Sequence, residues 1–364
     1  MRFLIGGRVR FLVLLAVMVA AVAALPAGAT VSATNGKIAF GFGDAFTINP
    51  DGTQVHQLGV PGTACTSWSP DSSKILCNVF GDNGPQPATA NPDGSDFTYL
   101  NTNLPFDLFC LFWSPDGTRL LCHSEGIANP ADAGLYTVRS SDAGDLVRVT
   151  TTLPGGFDQR YGYSPDGSRI LFTQFDSNGN GTLFSVKTDG SNPIQLSPPG
   201  VSIINLPFYD DLGADWSPDG SHVTFAAFKS GHFSPALFVV NADGTGLRQI
   251  TPSGLGAQSA QWSPNGALIA FTSCASSPRT CGIPQAWVVR PDGTGLRQVT
   301  PPVNGAIFWT PVWSPDSTKL LLNKFDQKNG QTSLWTVNSD GSQLAKLTDT
   351  EGLTAYAWGS APPD

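Results

Sequence analysis

The chain has 364 residues, with 20 Lys and Arg against 28 Asp and Glu, a formal charge of -8, and only 13% charged residues. No basic block or stripe runs through it, which excludes the clustered cations that phosphate neutralisation demands and sets nucleic acid aside as a partner. Its 40 Gly, 29 Pro and 10% aromatic residues point to an all-β chain of short strands and many turns.

Arg2, Arg8 and Arg10 precede a stretch from Phe11 to Leu25 made almost wholly of Leu, Val and Ala, and Ala27-Gly28-Ala29 supplies a small-x-small cleavage site. This is the pattern of an export leader over residues 1–29. The apolar run is short for a membrane span of ~20 residues. Cleavage takes three Arg from the 20 basic residues and leaves 17 against 28 acidic ones, a charge of -11. The mature chain is therefore expected to be secreted or held in the periplasm or cell envelope, without membrane insertion, and monomeric. Residues 30–35 form a short N-terminal segment, 36–359 a single repeat domain, and 360–364 a tail.

The first repeat opens at Gly36 with Lys37-Ile38-Ala39-Phe40 and ends in the turn Asn49-Pro50-Asp51-Gly52. From there two turns alternate. One is Trp68-Ser69-Pro70-Asp71, repeated from Trp113, Tyr163, Trp216, Trp262 and Trp313 at spacings of 45, 50, 53, 46 and 51 residues. The other is the Asp-Gly type, at Asp93-Gly94, Asp189-Gly190, Asp243-Gly244, Asp292-Gly293 and Asp340-Gly341, with Ser141-Asp142-Ala143-Gly144 a degenerate copy. A period of this size marks units that cannot bury their hydrophobic faces alone.

Residues 213–251 show the unit in full. Gly213 to Trp216 reads as a strand, Ser217-Pro218-Asp219-Gly220 as its turn, and Val223 to Ala227, Ala236 to Asn241 and Leu247 to Thr251 as three more strands. The first repeat lacks the opening strand, and Thr354 to Trp358 supplies one at the far end of the chain. Joining the ends removes the exposed edges an open array would leave. The expected fold is all-β: a seven-bladed β-propeller of four-stranded antiparallel blades, closed by a C-terminal strand joining the first blade.

Trp216-Ser217-Pro218-Asp219-Gly220, with Leu237 to Thr251 around Asp243-Gly244, resembles the WD40-like Pro-Asp repeat of the propeller domain of the TolB family of periplasmic proteins. The resemblance covers about residues 36–359. TolB itself carries an α/β domain ahead of six blades, whereas these repeats follow the leader directly and count seven.

Six cysteines in an exported chain suggest three disulfides. Cys65 and Cys77 flank Trp68 at the same offsets at which Cys110 and Cys122 flank Trp113. If Ser-Pro-Asp-Gly closes a three-residue hairpin loop between positions such as Ser114 and Thr118, Cys110 lies opposite Cys122. The expected bridges are Cys65–Cys77, Cys110–Cys122 and Cys274–Cys281, with pairing between blades, such as Cys77 with Cys110, as the alternative. No CxxC or Cys/His cluster suggests a metal.

Both tight turns fall on one face of the array, so the longer, varied connections emerge on the other, where binding residues usually reside. Aromatic and acidic residues recur there: Phe106, Asp107 and Phe109; Phe157 and Asp158; Phe208, Tyr209, Asp210 and Asp211; Phe308 and Trp309. They suit a partner or glycan surface or packing between blades. Asp176-Ser177-Asn178-Gly179-Asn180 resembles the start of a calcium loop but has Lys187 where the twelfth-position Glu belongs, and a polar turn explains it. Neither a Gly-x-Ser-x-Gly turn nor a His-Glu-x-x-His motif occurs. His123 and His232 could face the varied side, from different blades. The expected function is a non-catalytic scaffold binding a protein or cell-envelope polymer, with no cofactor. The alternative is a channel-mouth enzyme such as a polysaccharide lyase or glycosidase.

Overall fold

The computed structural model describes residues 34–41, 43–81, 84–100, 106–126, 129–204, 213–232, 234–273, 283–301, 305–350 and 356–360. Within them the chain is all-β apart from one 3-10 turn at Pro130–Asp132. The strands follow the sequence repeat. Phe109–Trp113, Arg119–Ser124, Gly134–Arg139 and Val147–Arg148 form a four-stranded antiparallel meander. Ala257–Trp262 through Arg297–Gln298 forms a second, and Ala306–Trp313 through Ala345–Thr350 a third.

Elsewhere units are joined edge to edge, where the sequence suggests only connecting loops. The strand Val201–Ile204 pairs with Asn180–Lys187 on one side and with His222–Lys229 on the other, giving a nine-stranded sheet. The 13-residue strand His56–Trp68 ends the first unit with its first half and begins the next with its second, giving a seven-stranded sheet. The two ends of the chain also meet. Ile38, Ala39 and Phe40 pair with Trp358, Ala357 and Tyr356, and the Trp358 indole N–H donates to the Gly36 carbonyl at 2.9 Å.

Second strands read as continuous apolar runs because sheets cover them on both faces. Val223, Phe225, Ala226 and Ala227 are fully buried, as are Leu320, Leu321 and Leu322. The repeated Trp stitches units together: Trp313 Nε1 donates to the Gln261 carbonyl and Trp68 Nε1 to that of Ala357, both at 3.2 Å. Each bond runs from one unit's first strand to the preceding one in the array.

The Ser-Pro-Asp turn is a hydrogen-bonded device. Ser114 Oγ donates to Asp116 Oδ1 at 2.6 Å and accepts from the Arg119 N–H at 2.9 Å, while Asp116 Oδ1 accepts from the Thr118 N–H at 3.0 Å. Ser69, Ser164, Ser217, Ser263 and Ser314 repeat the arrangement. The turn closes between Ser114 and Arg119, one residue later than the three-residue loop expected from the sequence. Trp113 therefore pairs with Leu120 and Phe112 with Leu121, and a β-bulge between Cys110 and Phe112 then takes the extra residue back. The two departures cancel, and Cys110 faces Cys122. A matching bulge sets Cys65 against Cys77.

Both bridges form, Cys65–Cys77 and Cys110–Cys122, each with Cα atoms 3.9 Å apart. This excludes the Cys77–Cys110 alternative. Cys274 and Cys281 lie outside the described residues. The strand order also separates two ends of each unit. Arg169–Phe175 runs away from the Ser164 turn, and Asn180–Lys187 returns to the turn closed by Lys187 and Ser191. Phe157, Phe175 and the Asp176 turn thus share the opposite, loop end.

Candidate binding face at the loop end

Phe157 opens the strand Phe157–Tyr163 and lies directly opposite Phe175. Their rings stack at 4.5 Å and 16°, which leaves the Phe157 side chain 37% exposed. A tight turn closed by Gly156 N–H and the Leu153 carbonyl (2.9 Å) sets Leu153, 43% exposed, just before it. Together they make an apolar ledge held by a buried ring. The adjoining Asp176 turn is self-contained: Asp176 Oδ1 accepts the Asn178 and Asn180 N–H groups at 2.8 and 2.9 Å. That is the polar-turn use of these residues.

Asp158, one residue on, is buried. It accepts from Thr150 Oγ1 at 2.5 Å, Thr152 Oγ1 at 3.2 Å and Gln174 Nε2 at 3.2 Å. Burial raises its pKa and these three donors work against that shift. The Thr150 hydroxyl also accepts the Leu135 N–H. Asp158 is thus a clamp between the outer strand of one unit and the first strand of the next.

Strand alternation returns Arg160 to the side of Asp158. Its guanidinium carbon lies 5.9 Å from the centroid of the Phe109 ring. Phe109 is buried between Phe80, at 5.7 Å, and an edge-on His123, at 5.5 Å. His123 Nδ1 lies 3.2 Å from the Phe109 carbonyl. A carbonyl only accepts, so Nδ1 carries the proton and Nε2 keeps its lone pair. Burial first, and then the charge of Arg160, hold the imidazole pKa well below its ordinary value, against the bond to Phe109. Glu125, at the end of the same hairpin, is accessible to water, yet partial burial raises its pKa while Arg160 opposes the shift. These side chains form one cluster. It draws on three successive units, through Phe80, through Phe109 with His123 and Glu125, and through Arg160.

The remaining expected residues are dispersed. Phe106 is half-buried against Tyr136, with centroids 4.9 Å apart. Asp107 is half-buried, its carboxyl close to Gly84: a Cβ there would come within 2.5 Å of it. Phe308 is buried edge-on to Trp335, and Trp309 is half-buried against Phe325 at 6.1 Å. Both belong to the unit at the other end of the chain. Phe208, Tyr209, Asp210 and Asp211 lie outside the described residues. Arg160 and Glu125 escaped the sequence reading, which sought aromatic and acidic pairs. The available signal was a cation three residues before the anchor Tyr163, where the units anchored by Trp68 and Trp113 carry Cys65 and Cys110.

Residues 208–360 match the TolB beta propeller domain. Among solved structures, the chain is similar in fold to a putative TolB from Agrobacterium tumefaciens, with TM-score 0.52, 18% identity, and 84% of this chain and 98% of that one covered. TolB from Acinetobacter baumannii superposes with TM-score 0.55 at 18% identity, over 88% of this chain and 79% of that one. An oligogalacturonate lyase from Vibrio parahaemolyticus gives 0.58 at 14% identity, over 86% of each chain. Residues 208–360 thus match a TolB-type propeller domain, and the chain has a TolB-like β-propeller fold.

Proposed function

We propose that this is an exported, non-catalytic scaffold: seven four-stranded blades, closed by the C-terminal strand, that bind a protein or cell-envelope polymer through the loop end. Closure is supported by the pairing of Ile38–Phe40 with Tyr356–Trp358, and export by the leader pattern and by two buried disulfides, which persist in oxidising compartments. Phe106, Asp107, Phe157 and Trp309, with Phe208, Tyr209, Asp210 and Asp211, are proposed to contribute to the face. Phe109, Asp158 and Phe308 support it from beneath.

The observation that carries this reading is the Phe157 ledge. An aromatic ring exposed on one side and fixed from behind by Phe175 offers contact area at small entropic cost, which is how hot-spot aromatics act. The test is co-sedimentation of the mature protein with the envelope fraction of its producer. Wild type is expected to be retained, Phe157→Ala to be retained about fivefold less or worse, and a variant with scrambled inter-blade loops to be lost. Equal recovery of wild type and the scrambled variant would end the proposal.

One observation favours the enzyme alternative: the cluster of Arg160, His123 and Glu125 around Phe109, in a fold shared with an oligogalacturonate lyase. A screen of acidic polysaccharides for new unsaturated or reducing ends tests it, with turnover abolished by His123→Ala as the supporting result. No turnover on any acidic polymer removes it.

A further inference from the structure

The geometry points to the outer edge strand Ala345–Thr350 as an interaction surface for a second copy of this chain, which it meets as an antiparallel strand with Lys346 of each copy opposite Asp349 of the other. The contact lies on the rim of the array, goes beyond the reading of the loop end, and makes a weak dimer where the sequence alone suggests a monomer.

Length singles this edge out. The outer strands Thr98–Tyr99, Val147–Arg148, Ile194–Gln195, Arg248–Gln249 and Arg297–Gln298 have two residues each, and very short edges are one way a sheet avoids pairing with other chains. Ala345–Thr350 has six residues and ends its sheet, with no strand on its outer side among the described residues. A strand in that position offers a row of backbone donors and acceptors to another chain.

Register decides which chain it suits. In a regular strand, residues three apart face opposite sides. Here a bulge interrupts the pairing with Gln331–Asn338: Lys346 lies opposite Trp335 and Thr348 opposite Leu334, so Leu347 is the extra residue. Lys346 and Asp349 are then two ladder steps apart and face the same side, where their side chains meet at 2.6 Å. An even number of steps also turns their backbone groups the same way. An antiparallel copy that sets Lys346 against Asp349 therefore satisfies both ends of the contact at once, which is the self-complementarity a two-fold axis requires.

Charge favours a copy over an unrelated strand. Lys346 and Asp349 are 45% and 70% exposed. A lysine on an edge ordinarily guards it. The carboxylate at the symmetry-related position cancels that guard for a copy of this chain, because opposite charges directly across two strands attract and like charges repel. Leu347 packs inward on the cluster around Ile48 and Leu334, so the edge shows little apolar surface when it is alone. The strand leads away from the turn closed by Asn338 and Ser342, toward the loop end. In an antiparallel pair the two loop ends point in opposite directions, so the dimer presents one binding face on either side.

Sedimentation velocity of the mature protein over a concentration series tests this. So short an edge buries less than the roughly 1,200 Å² of a stable complex, so wild type is expected to pass from monomer to dimer as concentration rises, and less readily at high salt. Lys346→Asp and Asp349→Lys each set like charges across the two-fold axis, and each is expected to dimerise about tenfold more weakly or worse. Mixed in equal amounts they are expected to associate within about threefold of wild type, since the mixed pair restores opposite charges at both positions. An exposed ion pair contributes little to folding, so both variants should keep the wild-type melting temperature. If either unfolds, amide hydrogen exchange of wild type decides, through protection of residues 345–349 that rises with concentration. Wild type that stays monomeric at every concentration overturns the inference. So does dimerisation that both reversals leave unchanged, failure of the folded variants to associate when mixed, or exchange that does not respond to concentration.

Discussion

Single carboxyls in this fold are tuned in opposite directions by their surroundings. Hydrogen bonds lead in the Ser-Pro-Asp turns of Asp71 and Asp219: the hydroxyls of Ser69 and Ser217 hold these groups below the ordinary carboxylate range. Their folded pKa lies under the unfolded one, so they contribute stability above about pH 4 that is lost as pH falls through the folded value. Acid unfolding should therefore fall below about pH 4 and shift upward in Ser69→Ala and Ser217→Ala. Each hydroxyl removed should also cost about 1 kcal/mol at neutral pH by chemical denaturation.

Asp215 behaves the other way. Its Oδ2 accepts the Trp262 N–H at 2.8 Å across two units, but burial dominates and pushes its pKa up to about 7. A carboxyl with a raised folded pKa stabilises below its unfolded value, and that contribution is lost as pH rises toward about 7. Asp215→Asn keeps an acceptor and removes the charge. It is expected to raise stability on the order of 4 kcal/mol at pH 8 and by about half as much or less at pH 5. Equal melting shifts at both values would show that ionisation of Asp215 is not what limits stability.

At the scale of strands and turns, the paired disulfides follow from a cancellation. The turn from Ser114 to Arg119 is a residue longer than a simple count gives, and the bulge at Leu111 restores the register that sets Cys110 against Cys122. The covariation of the two cysteines around Trp113 made the bridge legible in the sequence. The turn length and the bulge were not, because both are backbone responses to the Ser114 and Asp116 hydrogen bonds. A sequence separation of 12 residues implies that Cys110→Ser with Cys122→Ser costs about 3 kcal/mol, if loop entropy dominates. Denaturant titration of the double variant measures it. Thiol labelling of the unfolded, unreduced chain should find neither Cys110 nor Cys122.

At the scale of the whole molecule, the ends matter most. Residues Tyr356–Trp358 complete the first unit, and Asn35 bonds Asp316 at 2.9 Å. Deleting residues 354–364 exposes the edge of Ile38–Phe40 and unpairs Trp68 Nε1 from the Ala357 carbonyl. The truncated chain is expected to melt several degrees lower, about what 1 kcal/mol or more means for a chain of this size, and to self-associate through the open edge. Calorimetry and light scattering check both. An unchanged melting temperature would mean that the end strand contributes nothing to holding the array together.

The periodic anchors, the two turn chemistries and the complementary ends settle a TolB-like all-β repeat fold from sequence alone, because each is a local signal repeated often enough to leave few alternatives. Phe157 was legible for the same reason: it opens a strand after a loop, and its neighbours show it. What Phe157, Asp158 and Arg160 each do was decided only in three dimensions. Phe157 faces one side of its strand and Asp158 and Arg160 the other, so one ring reached solvent, while one carboxyl became a clamp and one guanidinium met Phe109 and His123 from an earlier unit. Contacts between units depend on register and twist, and no stretch of the chain encodes those by itself.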